Sequence, residues 1–316
     1  MTKQIEDKLF KVPILDVLVK LGKKVKIPGL HGMSLYDLLE MYIIGIVKGA
    51  LTSRAGAIAF SFFMALFPFL LFILTLLPIF AGRIEGFEEG FLLVLQELLP
   101  PTTSESVEMV INDIAVDITS NQYSGLLSFG FLASIFLMTN GVNAIFGGFE
   151  YSYHVRITRN IWRQYLVALG VSIVLSILFL LTIAAMIYFE LGMGDMQEHG
   201  WVQNDDIWIR VGRILFLTSM IYTSVTILYN FGTKGLKKRS YFSAGAVLTT
   251  LLTLLMFYLF GIYVESFAQY NKLYGSIGTL LILMLFVWLN SVILLLGFEL
   301  NASMNRLKLN TKRDIK

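Results

Sequence analysis

The sequence lacks the residues on which many soluble enzymes depend. It contains no cysteine, which excludes disulfide bonds, thiolate metal sites and cysteine nucleophiles. Only 15% of its 316 residues are charged, against roughly 25% in soluble domains. Its three histidines, His31, His154 and His199, fall in separate polar stretches, and no nucleotide-binding, zinc-protease or serine-hydrolase motif occurs. We therefore expect no enzyme activity, no cofactor and no bound metal ion.

Long apolar stretches dominate what remains. Apolar residues make up 56% of the chain, and they gather in six runs. Each run is long enough to cross a bilayer, because a spanning helix needs roughly 20 mostly apolar residues. The sequence therefore predicts an all-α, polytopic bundle of six transmembrane helices. The predicted spans are residues 57–80, 125–149, 166–189, 207–230, 242–264 and 277–300.

The charges between these runs predict how the bundle sits in the membrane. Of the 25 Lys and Arg residues, 21 lie before the first run, after the last run, or in the loops that follow the second and fourth runs. The alternate loops carry 14 of the 22 Asp and Glu residues. Because basic residues stay on the cytoplasmic side, we expect both termini in the cytoplasm. The net charge of +3 then reflects membrane topology, and we expect no nucleic-acid partner.

Amphipathic segments accompany the predicted spans. From Ser34 to Val47 apolar residues recur at helical spacing, and Ser34 with Asp37 resembles a capping box, which predicts a helix in the inner interface. Residues 9–21 have a weaker pattern of the same kind. Residues 81–124 contain two apolar stripes separated by a pair of prolines and predict an outer helical hairpin. That hairpin either rests on the bundle or the membrane surface, or covers a central cavity.

Polar residues in and beside the spans define a candidate substrate pocket. Ionisable groups in lipid are costly, so they usually face the bundle interior or a wet cavity. They either join helices by hydrogen bonds or line an inward-facing pocket in which Arg54 pairs with Glu150 or Glu299. Pro68 removes a backbone hydrogen bond near mid-membrane and predicts a kink, which serves either tight packing or a hinge. The candidate pocket residues are Arg54, Pro68, Asn140, Asn143, Glu150, Asn290, Glu299 and Asn301.

Two arginines depart from the charge rule. Arg210 and Arg213 lie one helical turn apart at the outer end of the fourth predicted span. Either they extend to the outer surface, with Trp208 as an interfacial anchor, or their guanidinium groups form an outer site for an anion such as phosphate.

Three stretches of the sequence resemble the signature stretches of the YihY/virulence-factor BrkB family. They are Ser53 to Ser61 leading into Pro68, then Asn140 to Phe146, and finally Gly275 to Gly278 leading through Trp288 to the run from Gly297 to Ala302. The resemblance implies a bacterial inner-membrane protein with six helices. Family members once carried a ribonuclease BN label, and some are linked to serum resistance or to the export of lipopolysaccharide and lipid. Phe298 replaces a residue that is commonly small, and we expect it to narrow the packing beside Glu299.

These observations predict a transporter, flippase or exporter of an amphipathic or anionic, lipid-like substrate, with membrane lipids as its partners. The alternative is a non-transporting membrane scaffold or envelope-assembly factor. A ribonuclease is disfavoured, because no cytoplasmic loop supplies a cluster of metal-binding carboxylates. The expected organisation is an interfacial region over residues 1–56, a membrane domain over residues 57–305 and a basic tail over residues 306–316.

Overall fold

The computed structural model describes residues 34–81, 124–152, 155, 159–199, 205–233, 241–266 and 276–314. The weaker amphipathic segment at residues 9–21 and residues 82–123 of the expected outer hairpin lie outside the described residues, so both remain predictions. The regular elements in the described ranges are all helices. They are α1 (Leu35–Lys48), α2 (Leu51–Ala81), α3 (Ser124–Glu150), α4 (Ile161–Glu198), α5 (Asp205–Gly232), α6 (Ala244–Ser266) and α7 (Ser276–Asp314).

Six of these helices, α2 to α7, are long and apolar enough to cross a membrane. The predicted all-α bundle with six spans is therefore confirmed. The last helix continues past residue 305, where the sequence predicted a separate tail. It continues because Leu307 is buried against Leu38 of α1, so the end of α7 still has an apolar surface to cover.

The six spans pack in chain order into a ring. Each span contacts the next, and α7 returns to pack against α2. Helix α3 also contacts α5 and α7 across the ring. We call the end of the bundle that contains the first turn of α2 and the last turns of α3 the inner end, and the opposite end the outer end.

The core differs between the two ends. At the inner end one cluster of buried side chains joins all six spans. In the outer half the described residues form two separate clusters, one shared by α2 to α5 and the other by α6 and α7. The bundle thus consists of a group of four helices and a pair of helices that share a core at the inner end. Representative residues of the inner core are Ala55, Phe149, Ala168, Tyr229, Ala246 and Phe298.

Helix α1 lies beside this inner end. Its predicted capping box is confirmed: the Asp37 backbone N–H donates to the Ser34 hydroxyl at 3.2 Å, and the Ser34 backbone N–H donates to the Asp37 carboxylate at 2.9 Å. The helix packs against α7 and leaves Leu39, Ile43 and Val47 exposed by 46%, 56% and 73%. An apolar stripe of this kind is typical of an interfacial helix.

Candidate functional site at the inner end of the bundle

A buried ion pair joins the first and last membrane helices. Arg54 lies near the start of α2 and Glu299 lies in the inner half of α7, 245 residues later. The Arg54 Nη2 donates to Glu299 Oε1 at 2.6 Å, and the two side chains are 6% and 0% exposed. Of the two partners that the sequence offered for Arg54, the structure pairs it with Glu299.

The end of α3 completes the polar contacts of this pair. The Arg54 Nη1 donates to the Gly148 carbonyl at 2.9 Å, and the Ser152 hydroxyl donates to Glu299 Oε2 at 2.9 Å. The last carbonyls of a helix have no partner within the helix, and a cation is favourable at the negative end of the helix dipole. Arg54 therefore satisfies the end of α3 and neutralises Glu299 at the same time. Three separate parts of the chain meet at these two charges.

Aromatic packing encloses the pair on one side. The rings of Phe149 and Phe298 stack with their centroids 4.2 Å apart and their planes within 6° of parallel. Tyr229 meets both rings edge-on, at 5.6 Å and 5.9 Å. Phe298, which precedes Glu299, is 2% exposed. The Phe298 ring is thus held between Phe149 and Tyr229, and the expected narrowing beside Glu299 stays a prediction.

Helix α1 reaches the pair from the other side. Burial and the negative charge of Glu299 raise the pKa of Tyr42 above its ordinary value of 10.0. Gly49, at the end of α1, makes room for the guanidinium group, because a Cβ atom there would lie 2.8 Å from Arg54 Nη2. The interfacial helix and the ion pair therefore form one packed unit.

This unit is costly to assemble. Removing two charges from water carries a penalty of several kcal/mol per ion, which the mutual attraction balances only when the remaining hydrogen bonds are satisfied. The carboxylate receives hydrogen bonds on both oxygens, whereas Arg54 Nε is buried with no hydrogen-bond partner among the described residues. The presence of a buried ion pair is therefore weak evidence that its role is to stabilise the fold. Ionisable groups within membrane spans commonly mark functional sites.

Other polar residues at the inner end form hydrogen bonds with groups at the ends of helices. Asn301 accepts a hydrogen bond from the Gly245 N–H at 2.8 Å and donates to the Ser243 hydroxyl at 3.0 Å, so it caps the start of α6. Arg159 donates to the carbonyls of Phe231 and Thr233 at the end of α5. Asn301 was a candidate pocket residue, and its side chain is instead engaged with a helix terminus.

Within the described residues, no hydrogen bond joins the remaining pocket candidates to Arg54 or Glu299. Asn140 is exposed and Asn143 is partly exposed, on the side of α3 opposite its buried face. Glu150 is partly exposed and accepts the Arg159 backbone N–H at 3.0 Å. Asn290 donates to the carbonyl of Phe286 within its own helix at 2.9 Å. Helix α2 continues through Pro68, which is partly exposed.

The outer arginines have different environments. Arg213 Nε donates to Glu190 of α4 at 2.6 Å, and these side chains are 26% and 29% exposed. Arg210 is exposed. Because the Arg213 guanidinium already has a carboxylate partner, the structure does not present the two arginines as one open anion site.

Several residues of the inner end were missed by sequence reasoning. Ser152 follows α3 and carries no motif, and Tyr229 is an ordinary aromatic residue in an apolar run. A close approach of two helices, where α6 crosses α7, was also missed: a Cβ atom on Gly297 would clash with the Thr249 hydroxyl and the Gly245 carbonyl. Paired glycines at the inner ends of the fifth and sixth spans are the signal that predicts such a crossing.

Acidic and histidine side chains do not gather into a metal-ligand cluster within the described ranges. The polar chemistry described at the inner end is therefore that of one guanidinium, one carboxylate, hydroxyl groups and helix termini.

Comparison with known proteins agrees with this architecture. A protein from Bacillus subtilis (strain 168) named "Putative ribonuclease-like protein YfkH" is 29% identical over 266 residues, covering 81% of this chain and 90% of that protein. A "UPF0761 membrane protein" of Coxiella burnetii (strain Dugway 5J108-111) is 24% identical over 248 residues, covering 77% and 84%. Another, of Stenotrophomonas maltophilia (strain R551-3), is 27% identical over 180 residues, covering 57% and 41%. No solved structure matches the chain.

The sequence profile of the family described as virulence factor BrkB matches residues 45–316. This match covers all six spans, Arg54 and Glu299, and it confirms the resemblance predicted from the three signature stretches. The chain is therefore an integral membrane protein that belongs to the virulence factor BrkB family.

Proposed function

We propose that this protein moves an amphipathic, anionic lipid-like molecule across the bacterial inner membrane, and that the pair Arg54–Glu299 is its inner gate. The observation that carries the proposal is a fully enclosed ion pair that links the first and last spans of a membrane bundle. In this conformation Glu299 is 0% exposed, so a substrate can reach it only after the two charges separate. The conformation is therefore closed at the inner end.

The packing of the spans supports a gate at this place. The helix pair α6 and α7 shares a core with the other four spans at the inner end, and the two groups have separate clusters in the outer half. Arg54 and Glu299 belong to different groups. Breaking their contact therefore releases the end at which the two groups are held together, and relative movement of helix groups is the usual basis of alternating access.

The charge of Arg54 supports an anionic substrate. When Glu299 moves away, the guanidinium keeps its charge, because arginine does not lose its proton in proteins. A phosphate headgroup can replace the carboxylate as its partner through a bidentate contact. Lipids of the surrounding bilayer have this chemistry together with the apolar chains that suit a membrane-embedded path.

The proposed orientation places the inner end in the cytoplasm. The basic residues support it, because 21 of the 25 Lys and Arg residues belong to the termini and loops that the sequence assigns to that side. Reporter fusions after residues 160, 238 and 310 should be cytoplasmic, and fusions after residues 110, 200 and 270 should be external. A reversed pair of reporters at any loop would contradict this topology.

Lipid movement in reconstituted vesicles tests the function. The purified chain is placed in vesicles of phosphatidylethanolamine and phosphatidylglycerol that contain a trace of chain-labelled fluorescent phosphatidylglycerol, and dithionite then quenches the outer leaflet. We expect the wild type to expose inner-leaflet probe faster than empty vesicles do. Glu299→Gln should lose most of this rate, because glutamine cannot balance Arg54 when the gate closes again. Glu299→Asp, which keeps the charge, should retain part of it.

A control variant tests whether the loss of any buried polar group slows lipid movement. Ser176 is a buried residue of α4 whose hydroxyl donates to the Ser172 carbonyl at 2.9 Å, so Ser176→Ala removes a buried polar group away from the ion pair. Its rate should equal that of the wild type. A wild-type rate no higher than that of empty vesicles, with the labelled phosphatidylglycerol and with a phosphatidylethanolamine probe, would refute lipid movement.

A second candidate is a membrane scaffold that transports nothing. Two observations favour it: the ion pair is completely enclosed, and Asn301 is engaged in capping α6. In that case the polar residues of the inner end only hold the helices together, and the vesicle assay gives no rate above the background of empty vesicles.

A further inference from the structure

One face of α3 is polar and only partly covered although it lies within a membrane span. Asn140, Asn143 and Gly147 fall within about 60° of one another around the helix, at 100° per residue. Asn140 is exposed, and Asn143 and Gly147 are partly exposed. The opposite face, with Val142 and Phe149, is buried. We call Asn140, Asn143 and Gly147 the amide face.

The described bundle covers this face only in part, and it leaves open space at Gly147. A Cβ atom added to Gly147 would meet nothing within 4 Å, whereas one added to the adjacent Gly148 would lie 2.5 Å from Ile58. Phe136, one turn beyond Asn140 on the same side, is 57% exposed although its ring packs against Tyr165 of α4 with the centroids 5.5 Å apart. The two neighbouring glycines thus differ sharply: Gly148 is needed for packing within the chain, and Gly147 is not.

We propose that the amide face is the contact surface between two copies of this chain. At this depth a lipid chain has no groups that can satisfy a side-chain amide. A second amide face does, because each asparagine carries both a donor and an acceptor. A surface that meets its own copy across a two-fold axis must be complementary to itself, and amides meet this condition where side chains of one charge sign do not.

Gly147 supplies the second requirement of such a contact. Helices in membranes associate through small residues that let their backbones approach, and through polar side chains that hydrogen-bond between helices. The spacing of Asn143 and Gly147, i and i+4, places an amide and a small residue one turn apart on the same side. This proposal is independent of the proposed lipid movement, since it concerns the outside of the ring.

Cysteine cross-linking in native membranes tests the contact, and the chain is suited to it because it contains no cysteine. Asn143→Cys should form a disulfide-linked dimer under mild oxidation. Val174→Cys is the matched control, since Val174 is 48% exposed on α4, and it should give at least tenfold less dimer. Equal cross-linking of the two variants would overturn the proposal. So would labelling of Asn143→Cys by a membrane-soluble maleimide without any dimer, which would identify lipid as the occupant.

Gly147→Leu tests the same contact without a cross-link. The added side chain has open space within one chain, so the monomer should fold and keep its melting temperature in detergent, but it should elute as a monomer where the wild type elutes as a dimer. Gly170→Leu on α4, where a Cβ atom also meets nothing within 4 Å, should remain dimeric. A wild type that is monomeric in mild detergent and in membranes, or a Gly147→Leu variant that stays dimeric, would refute the interface.

Discussion

The stability of the chain should depend strongly on one buried carboxylate and only weakly on another that makes an ion pair of the same length. Glu299 and Glu190 each accept a hydrogen bond from an arginine at 2.6 Å, but their side chains are 0% and 29% exposed. Replacing Glu299 by Gln keeps the shape and removes the charge, which leaves Arg54 buried without a counter-ion. Removing one partner of a buried pair typically costs about 3–5 kcal/mol.

The corresponding change in melting temperature can be measured in detergent. A chain of this length loses roughly 2 °C per kcal/mol, so we expect Glu299→Gln to melt about 6–10 °C below the wild type. The matched variant Glu190→Gln breaks a partly exposed pair, for which the cost is about 0–1 kcal/mol, and it should melt within about 2 °C of the wild type. Thermal unfolding followed by tryptophan fluorescence or by loss of the monodisperse peak gives both values.

A double variant distinguishes the charge from the shape. Arg54→Met combined with Glu299→Leu removes both charges and retains apolar volume, and such replacements of buried pairs are often neutral or stabilising. We therefore expect it to regain most of the melting temperature lost in Glu299→Gln. Equal losses for Glu299→Gln and Glu190→Gln, or a double variant that melts lower than Glu299→Gln, would refute the argument that an uncompensated buried charge determines the effect.

Three further predictions concern the surroundings of the pair. Gly297→Ala should strongly reduce the yield of monodisperse protein, because its Cβ would clash with the Thr249 hydroxyl, whereas Gly147→Ala, which meets open space, should not. Ser34→Ala removes the capping box of α1 at a cost of about 1 kcal/mol, and amide hydrogen exchange should quicken in α1 and remain unchanged in α3. The raised pKa of Tyr42 means that the folded chain keeps this proton above pH 10 while the unfolded chain loses it, so stability present below that pH is lost as the pH rises. Between about pH 9 and about pH 11.5, the melting temperature of Tyr42→Phe should therefore fall by less than that of the wild type.

The spans could be predicted from the sequence because the bilayer imposes a length and a composition on each one. The six apolar runs correspond to α2 through α7, and the capping box of α1 follows from the spacing of Ser34 and Asp37. The bounds were less accurate at helix ends: α4 begins at Ile161, five residues before the predicted span. Helix α7 also extends beyond its apolar run, where Leu307 packs against Leu38.

The site was only partly predictable. The sequence indicates how deep a residue lies in the membrane, but it indicates less well which side of its helix the residue occupies. The cost of leaving charges in lipid predicted that Arg54 pairs with Glu150 or Glu299, and the structure pairs it with Glu299. The same criterion selected Asn140 and Asn143, which share that depth but lie on the exposed side of α3. Packing determines which side of a uniformly apolar helix faces its neighbours, as at Gly148 and Ile58. The spacing of apolar residues does not predict that side when both sides are apolar.

The distance in sequence between Arg54 and Glu299 has a consequence for how the protein is made. During synthesis at about 5–20 residues per second, the 245 residues that separate them take on the order of 10–50 s to emerge. Throughout that time the early helices carry a cation whose neutralising partner does not yet exist, although the end of α3 is already available to it. The nascent bundle therefore has its full set of paired charges at this site only when its last helix arrives.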